Sequence, residues 1–156
     1  MAHTCTYAIQ TEEDTRRLAA ALAPLLEPGM VVGLTGDLGT GKSVFVRAAA
    51  YALGVREKMP SPTYTVVESY HTESATVLHI DLYRLGTAEE FHMLGLDEEL
   101  AESISFVEWI DRVPELAEGS DVSVSISMVP SAHTERRDSE RSVTVRLPAE
   151  KELVYD

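Results

Sequence analysis

The spacing of apolar residues changes several times along the chain, and each change marks an element. Leu18, Leu22, Leu25 and Leu26 recur at helical spacing and form one apolar stripe. Thr11 stands three residues before Asp14 at the head of this stripe, the spacing of a capping box in which each side chain satisfies a free backbone amide. Pro24 kinks the helix late, and Pro28-Gly29 turns the chain out of it. A short strand is expected before it, over residues 7–9. Residues 30–35 are apolar almost throughout and rich in β-branched side chains. A strand apolar on both faces belongs in the middle of a parallel sheet covered by helices.

A helix rich in alanine and large apolar residues is predicted over 43–53, closed by Gly54. Two later apolar runs each lead into an acid: residues 76–80 into Asp81, and 104–107 into Glu108. Between them Thr87 and Glu90 repeat the capping-box spacing, and Phe91, Leu94 and Leu96 supply apolar positions for short helices. Val122, Val124, Ile126 and Met128 alternate with polar residues, as do Val143, Val145 and Leu147. That alternation predicts two half-buried antiparallel strands joined by a polar loop over 131–141. Strands alternating with helices in this way define an α/β chain of three layers, helices on both faces of a mainly parallel sheet, with an antiparallel strand pair at its C-terminal end.

Composition narrows the picture. The 156 residues fit one domain spanning 1–156, with 44% hydrophobic residues to build its core. No apolar stretch approaches the roughly 18 residues that span a bilayer. The opening MAHTCTYAIQ lacks a basic segment followed by an apolar run. No secretion signal is therefore expected, and the lone cysteine, Cys5, suits a cytoplasmic setting. The formal charge is −13, and residues 87–121 alone carry a net −10. A chain this acidic lacks the concentrated basic face that grips nucleic-acid phosphates. The acidic segment is expected to be a solvated helical surface, with a docking face for a basic partner as the alternative.

The strongest chemical signal is Gly36-Asp37-Leu38-Gly39-Thr40-Gly41-Lys42-Ser43, which meets G-x-x-x-x-G-K-[ST] at every fixed position. It lies between an apolar strand and a helix, as phosphate binding requires, so a P-loop NTPase-like fold is expected. The glycines let successive amides point inward at phosphate oxygens, and the following helix adds its positive dipole end. Lys42 reaches the β- and γ-phosphates, and the Ser43 hydroxyl suits Mg²⁺. In such enzymes the second Mg²⁺ contact, direct or through water, is an acid at the end of a neighbouring strand. Asp81 and Glu108 both qualify, and position alone does not rank them. No guanine-reading N-K-x-D stretch is present, which favours ATP over GTP.

The phosphate loop, then Ser61-Pro62-Thr63-Tyr64, then His79-Ile80-Asp81-Leu82-Tyr83-Arg84-Leu85, then Val107-Glu108-Trp109-Ile110-Asp111-Arg112 occur in that order. Together they resemble the TsaE family of bacterial ATPases, formerly YjeE, from the first helix through Arg112. The resemblance implies ATP hydrolysis in support of threonylcarbamoyladenosine formation on tRNA, with TsaD-like and TsaB-like partners, tRNA engaged only indirectly, and no membrane. It implies nucleotide contacts from Asp37, Leu38, Gly39, Thr40, Gly41, Lys42, Ser43 and Val44, with Thr11 beside them. Ser43 and Glu108 are the metal ligands expected, Asp81 and Trp109 complete the catalytic side with Lys42, and Thr63 resembles a switch threonine sensing the γ-phosphate. Ser43, Thr40 and Tyr64 replace commoner threonine, alanine and phenylalanine.

Two other functions fit a phosphate loop on a chain of this size. A small-molecule kinase needs an arginine-bearing lid, for which Arg136, Arg137 and Arg141 are the candidates. A nucleotide-gated binding module would dock without needing hydrolysis. The five histidines show no paired metal-ligand spacing, so no zinc site is expected.

Overall fold

The computed structural model describes residues 2–60, 66–129 and 140–155. Seven strands form one sheet: β1 (His3–Ile9), β2 (Val31–Thr35), β3 (Val67–His71), β4 (Thr76–Asp81), β5 (Ile104–Glu108), β6 (Val122–Met128) and β7 (Arg141–Leu147). Their spatial order is β1-β7-β6-β2-β5-β4-β3. The inner four, β6-β2-β5-β4, run parallel, and antiparallel pairings, β4–β3 on one side and β6–β7 and β7–β1 on the other, close the margins. The α/β class, the parallel core and the antiparallel pair β6–β7 match the sequence reading.

Two α-helices of real length cover one face. The first, α1 (Glu12–Leu22), begins on a complete capping box: Thr11 accepts from the Asp14 amide while the Asp14 carboxylate accepts from the Thr11 amide. Pro24 then converts the last turn to 3-10 geometry over Ala23–Leu25. The second, α2 (Lys42–Leu53), packs against α1 and ends at Gly54, whose φ of +116° suits a residue without Cβ. Leu18, Leu22, Phe45, Val46, Val32, Leu34 and Phe106 fuse in the core beneath them.

The opposite face carries three short helices: α3 (Ala88–Met93), α4 (Asp97–Glu102) and α5 (Pro114–Glu118). A separate apolar cluster, including Leu78, Ile80, Phe91, Val107 and Ile110, fills the space below. All the acids of residues 87–121 are exposed here except Glu108 and Asp121. The solvated helical surface is what the acidic run builds. Asp121 instead accepts a 2.8 Å bond from the Val31 amide at the base of β2.

Three features depart from the sequence reading. β1 extends from His3 rather than from Tyr7, because all seven of its residues pair with β7. β3 was not foreseen: it is a marginal strand in which only Tyr70 is buried, so its pattern along the sequence is faint. Thr87 caps α3 by accepting from the Glu90 amide, but the Glu90 carboxylate turns back to the Gly86 amide, leaving half a capping box.

Candidate functional site

β2 delivers the chain to the phosphate loop at Thr35, and α2 leaves it at Lys42. Gly41 precedes α2 in a left-handed conformation, and no side chain caps the helix. The first amides of α2 therefore remain available to an anion at the positive end of the helix dipole. The loop braces itself from within, as Thr40 is buried and its Oγ1 donates to the Asp37 carbonyl at 2.9 Å. Leu38 at the crest is exposed.

Lys42 folds into the loop, where its Nζ donates to the carbonyls of Gly36 and Asp37. Burial pushes its pKa down, while Glu108, Asp81, Asp37 and Asp111 pull it back up. The Trp109 ring lies over the same ammonium, 4.3 Å from Nζ to the ring centroid. Trp109 has φ +59°, the one positive φ outside glycine among the described residues. Its amide donates to Leu34 at the end of β2, so the strained turn after β5 aims the indole at the loop. Tyr83 packs against the indole at 5.0 Å, and Arg112 lies over both rings. Tyr83 is exposed, whereas Trp109 is half-buried and packs against the apolar cluster around Ile110.

The two strand-end acids stand side by side, because β4 and β5 pair in parallel with Asp81 opposite Glu108. They differ in surroundings. Glu108 is buried and holds the Ser43 hydroxyl, which lies 3.1 Å from Oε1 and 3.2 Å from Oε2. Asp81 accepts from the Tyr83 amide at 3.0 Å. Burial raises its pKa above the usual carboxylate range and nearby Glu108 adds to the rise, against the opposing Tyr83 bond.

Ser43 and Glu108 thus present hard oxygen atoms at the foot of the phosphate loop, a donor set that fits Mg²⁺. Among the described residues no three His, Cys, Asp or Glu side chains gather as a metal cage. Mg²⁺ needs none, since it is held through one or two carboxylates together with waters and substrate phosphates.

Val44 lies on the first turn of α2, where with Glu12, Glu13, Arg16, Arg47 and Tyr51 it lines a groove of about 390 Å³ between α1 and α2. Thr11 caps α1 at the head of this groove. Thr63, with the whole segment 61–65, lies outside the described residues, as do Arg136 and Arg137. Arg141 is not on a lid: it opens β7, paired with Ile9 and Met128. One residue was missed by sequence reasoning. His79 is fully buried on β4, with Nε2 2.5 Å from Glu108 Oε2. The available signal was its place two residues before Asp81, which puts both on one face of a strand.

An apolar central strand, a glycine-rich loop, a helix with uncapped amides and two acids on adjacent strand ends define a P-loop nucleotide-binding domain. A family profile described as "Threonylcarbamoyl adenosine biosynthesis protein TsaE" matches residues 9–138. The chain belongs to the TsaE family. It is similar to the tRNA threonylcarbamoyladenosine biosynthesis protein TsaE of Treponema pallidum, with 36% identity over 137 residues, 87% of this chain and 96% of that protein. The corresponding protein of Rickettsia bellii is 35% identical over 122 residues, 78% of this chain and 85% of its own length. Among solved structures, Bacillus subtilis YdiB superposes with a TM-score of 0.75 at 26% identity, covering 94% of this chain and 87% of that one.

Proposed function

We propose that the chain, acting as one domain, hydrolyses ATP with Mg²⁺ and uses that cycle to dock on and release a TsaD–TsaB-type complex during threonylcarbamoyladenosine synthesis on tRNA. The observation carrying this reading is the meeting of Lys42, Ser43 and Glu108 at one loop, with Asp81 on the adjacent strand end. In this reading the amides from Asp37 to Val44 hold the phosphates, and Thr11 with the α1–α2 groove flanks the nucleotide. Lys42 leaves its two loop carbonyls for the β- and γ-phosphates. Ser43 and Glu108 hold Mg²⁺, which when bound neutralises charge on the phosphate oxygens. Asp81, kept partly desolvated, stands where it can orient water or take up its proton. Trp109 shields Lys42 from solvent, and Thr63 senses the γ-phosphate.

The acidic surface argues that tRNA is met through the partner, since a −13 chain is repelled by phosphate. No helix among the described residues is long and apolar enough to cross a membrane, and the cytoplasm, where tRNA is modified, is the setting proposed. The test is a pull-down of TsaD-like and TsaB-like proteins and tRNA with ATP, ADP or a non-hydrolysable analogue at two salt concentrations, alongside phosphate release. Nucleotide-dependent partner capture with negligible tRNA binding by the chain alone is expected. Partner capture indifferent to nucleotide, or tight tRNA binding by the isolated chain, overturns the mechanism.

A further inference from the structure

His79 is an expensive residue where it sits. It has no solvent exposure, lies beside Phe106 in the β4–β5 register, and shares a strand face with Val77 and Asp81. Burying an imidazole removes two ring nitrogens from water, a cost that an apolar side chain of similar size would avoid. Only one nitrogen is repaid: Nε2 meets Glu108 Oε2, while Nδ1 has no hydrogen-bond partner among the described residues. Because the carboxylate of Glu108 accepts, the contact requires a proton on Nε2.

The carboxylate of Glu108 is therefore held from two sides. From the interior Nε2–H fixes Oε2, and from the loop the Ser43 hydroxyl approaches both oxygens. Without the imidazole, Glu108 could turn about its last torsion and present either oxygen, or neither, to the foot of the loop. Groups that hydrogen-bond a metal-binding side chain from behind set its orientation, and their loss commonly weakens metal binding by about 10–100-fold.

We infer that His79 is a positioning residue for Glu108, locking its carboxylate so that Oε1 faces the cation that accompanies the bound nucleotide. The inference rests on the Mg²⁺–nucleotide reading of the site. The imidazole itself touches neither phosphate nor metal; its effect is exerted through Glu108.

The experiment compares the full-length chain with His79→Gln and His79→Leu. Gln carries an amide donor near the position of Nε2, whereas Leu fills the space with none. ADP binding is measured by calorimetry in EDTA and across a Mg²⁺ series. Affinity in EDTA is expected to be the same for all three proteins. The Mg²⁺ concentration for half-maximal enhancement should rise about tenfold in His79→Leu and return to within about threefold of the parent in His79→Gln. If His79→Leu does not fold, His79→Asn takes its place, since its amide is one bond too short to reach Oε2. A folded donorless variant with the parent's Mg²⁺ dependence overturns the inference, as does a Gln variant no better than Leu. If ADP binding to the parent chain is indifferent to Mg²⁺, the reading of the site fails, and the inference with it.

Discussion

Gly36→Ala tests how tightly the sheet constrains the phosphate loop. Gly36 has φ +143°, and a Cβ there would lie 2.4 Å from the Ile126 carbonyl oxygen and 3.0 Å from Thr40 Oγ1. The Ile126 oxygen is backbone of β6, whose ladder with β7 pairs Ile126 with Val143, so it cannot swing aside as a side chain would. Backbone strain and overpacking cost about 1–3 kcal/mol each, together about 2–6 kcal/mol. That is a large share of the roughly 5–15 kcal/mol that keeps a domain folded. Gly39→Ala is the control, since Gly39 also has positive φ but nothing lies within 4 Å of its added Cβ. It should lose only the strain, about 1–2 kcal/mol. Urea unfolding followed by circular dichroism measures both. Gly36→Ala should lose at least about 1 kcal/mol more than Gly39→Ala, a further drop of about 2–4 °C in Tm. Equal losses would show that the β6 backbone does not limit the loop.

Lys42→Ala should abolish phosphate release and sharply weaken nucleotide binding, because it removes the ammonium that sits within the loop; normal phosphate release by the variant would remove the proposed activity. Glu108→Gln and Asp81→Asn should each slow turnover at least tenfold, about 1.4 kcal/mol of barrier, and a fully active variant would reduce that acid to a strand-end cap. Asp81→Asn should also raise Tm at neutral pH. The folded-state pKa of Asp81 lies above its unfolded value, so the penalty on its charge is full above the folded pKa and vanishes as pH falls below the unfolded one. The stabilisation measured by thermal melts should therefore fade on acidification, and a gain independent of pH would contradict this origin. Thr11→Ala removes one half of a complete capping box and should cost about 1 kcal/mol in urea unfolding.

The elements legible in the sequence are those whose causes are local. The octet from Gly36 to Ser43, the apolar run that becomes β2 and the Thr11–Asp14 box each carry their signal within a few residues. β3 is not legible because a strand at the sheet margin buries little, and Tyr70 alone makes no period. The site divides in the same way. Lys42 and Ser43 follow from the motif, and Asp81 and Glu108 from their places after apolar runs. Their difference does not follow: only the fold brings the Ser43 hydroxyl to Glu108, 65 residues away, and leaves Asp81 with the Tyr83 amide. Spacing of histidines along the chain likewise says nothing of His79, whose partner lies 29 positions later and is reached only through the β4–β5 register.

The pairing of β1 with β7 also bears on how the molecule is made. His3 lies opposite Leu147, so β1 is adjacent in the sheet to β7, the described strand furthest from it along the sequence. The central order imposes a similar delay, since β2 must wait for β5 and β6 before either flank is filled. During translation, α1 and α2 can form early, but the sheet beneath them stays open until β7 has emerged. Such distant pairings slow folding and leave apolar strands exposed meanwhile. Shortening the chain by its last strand would therefore strip β1 of its partner and uncover the outer edge of β6, turning a loss at one end into a defect at both.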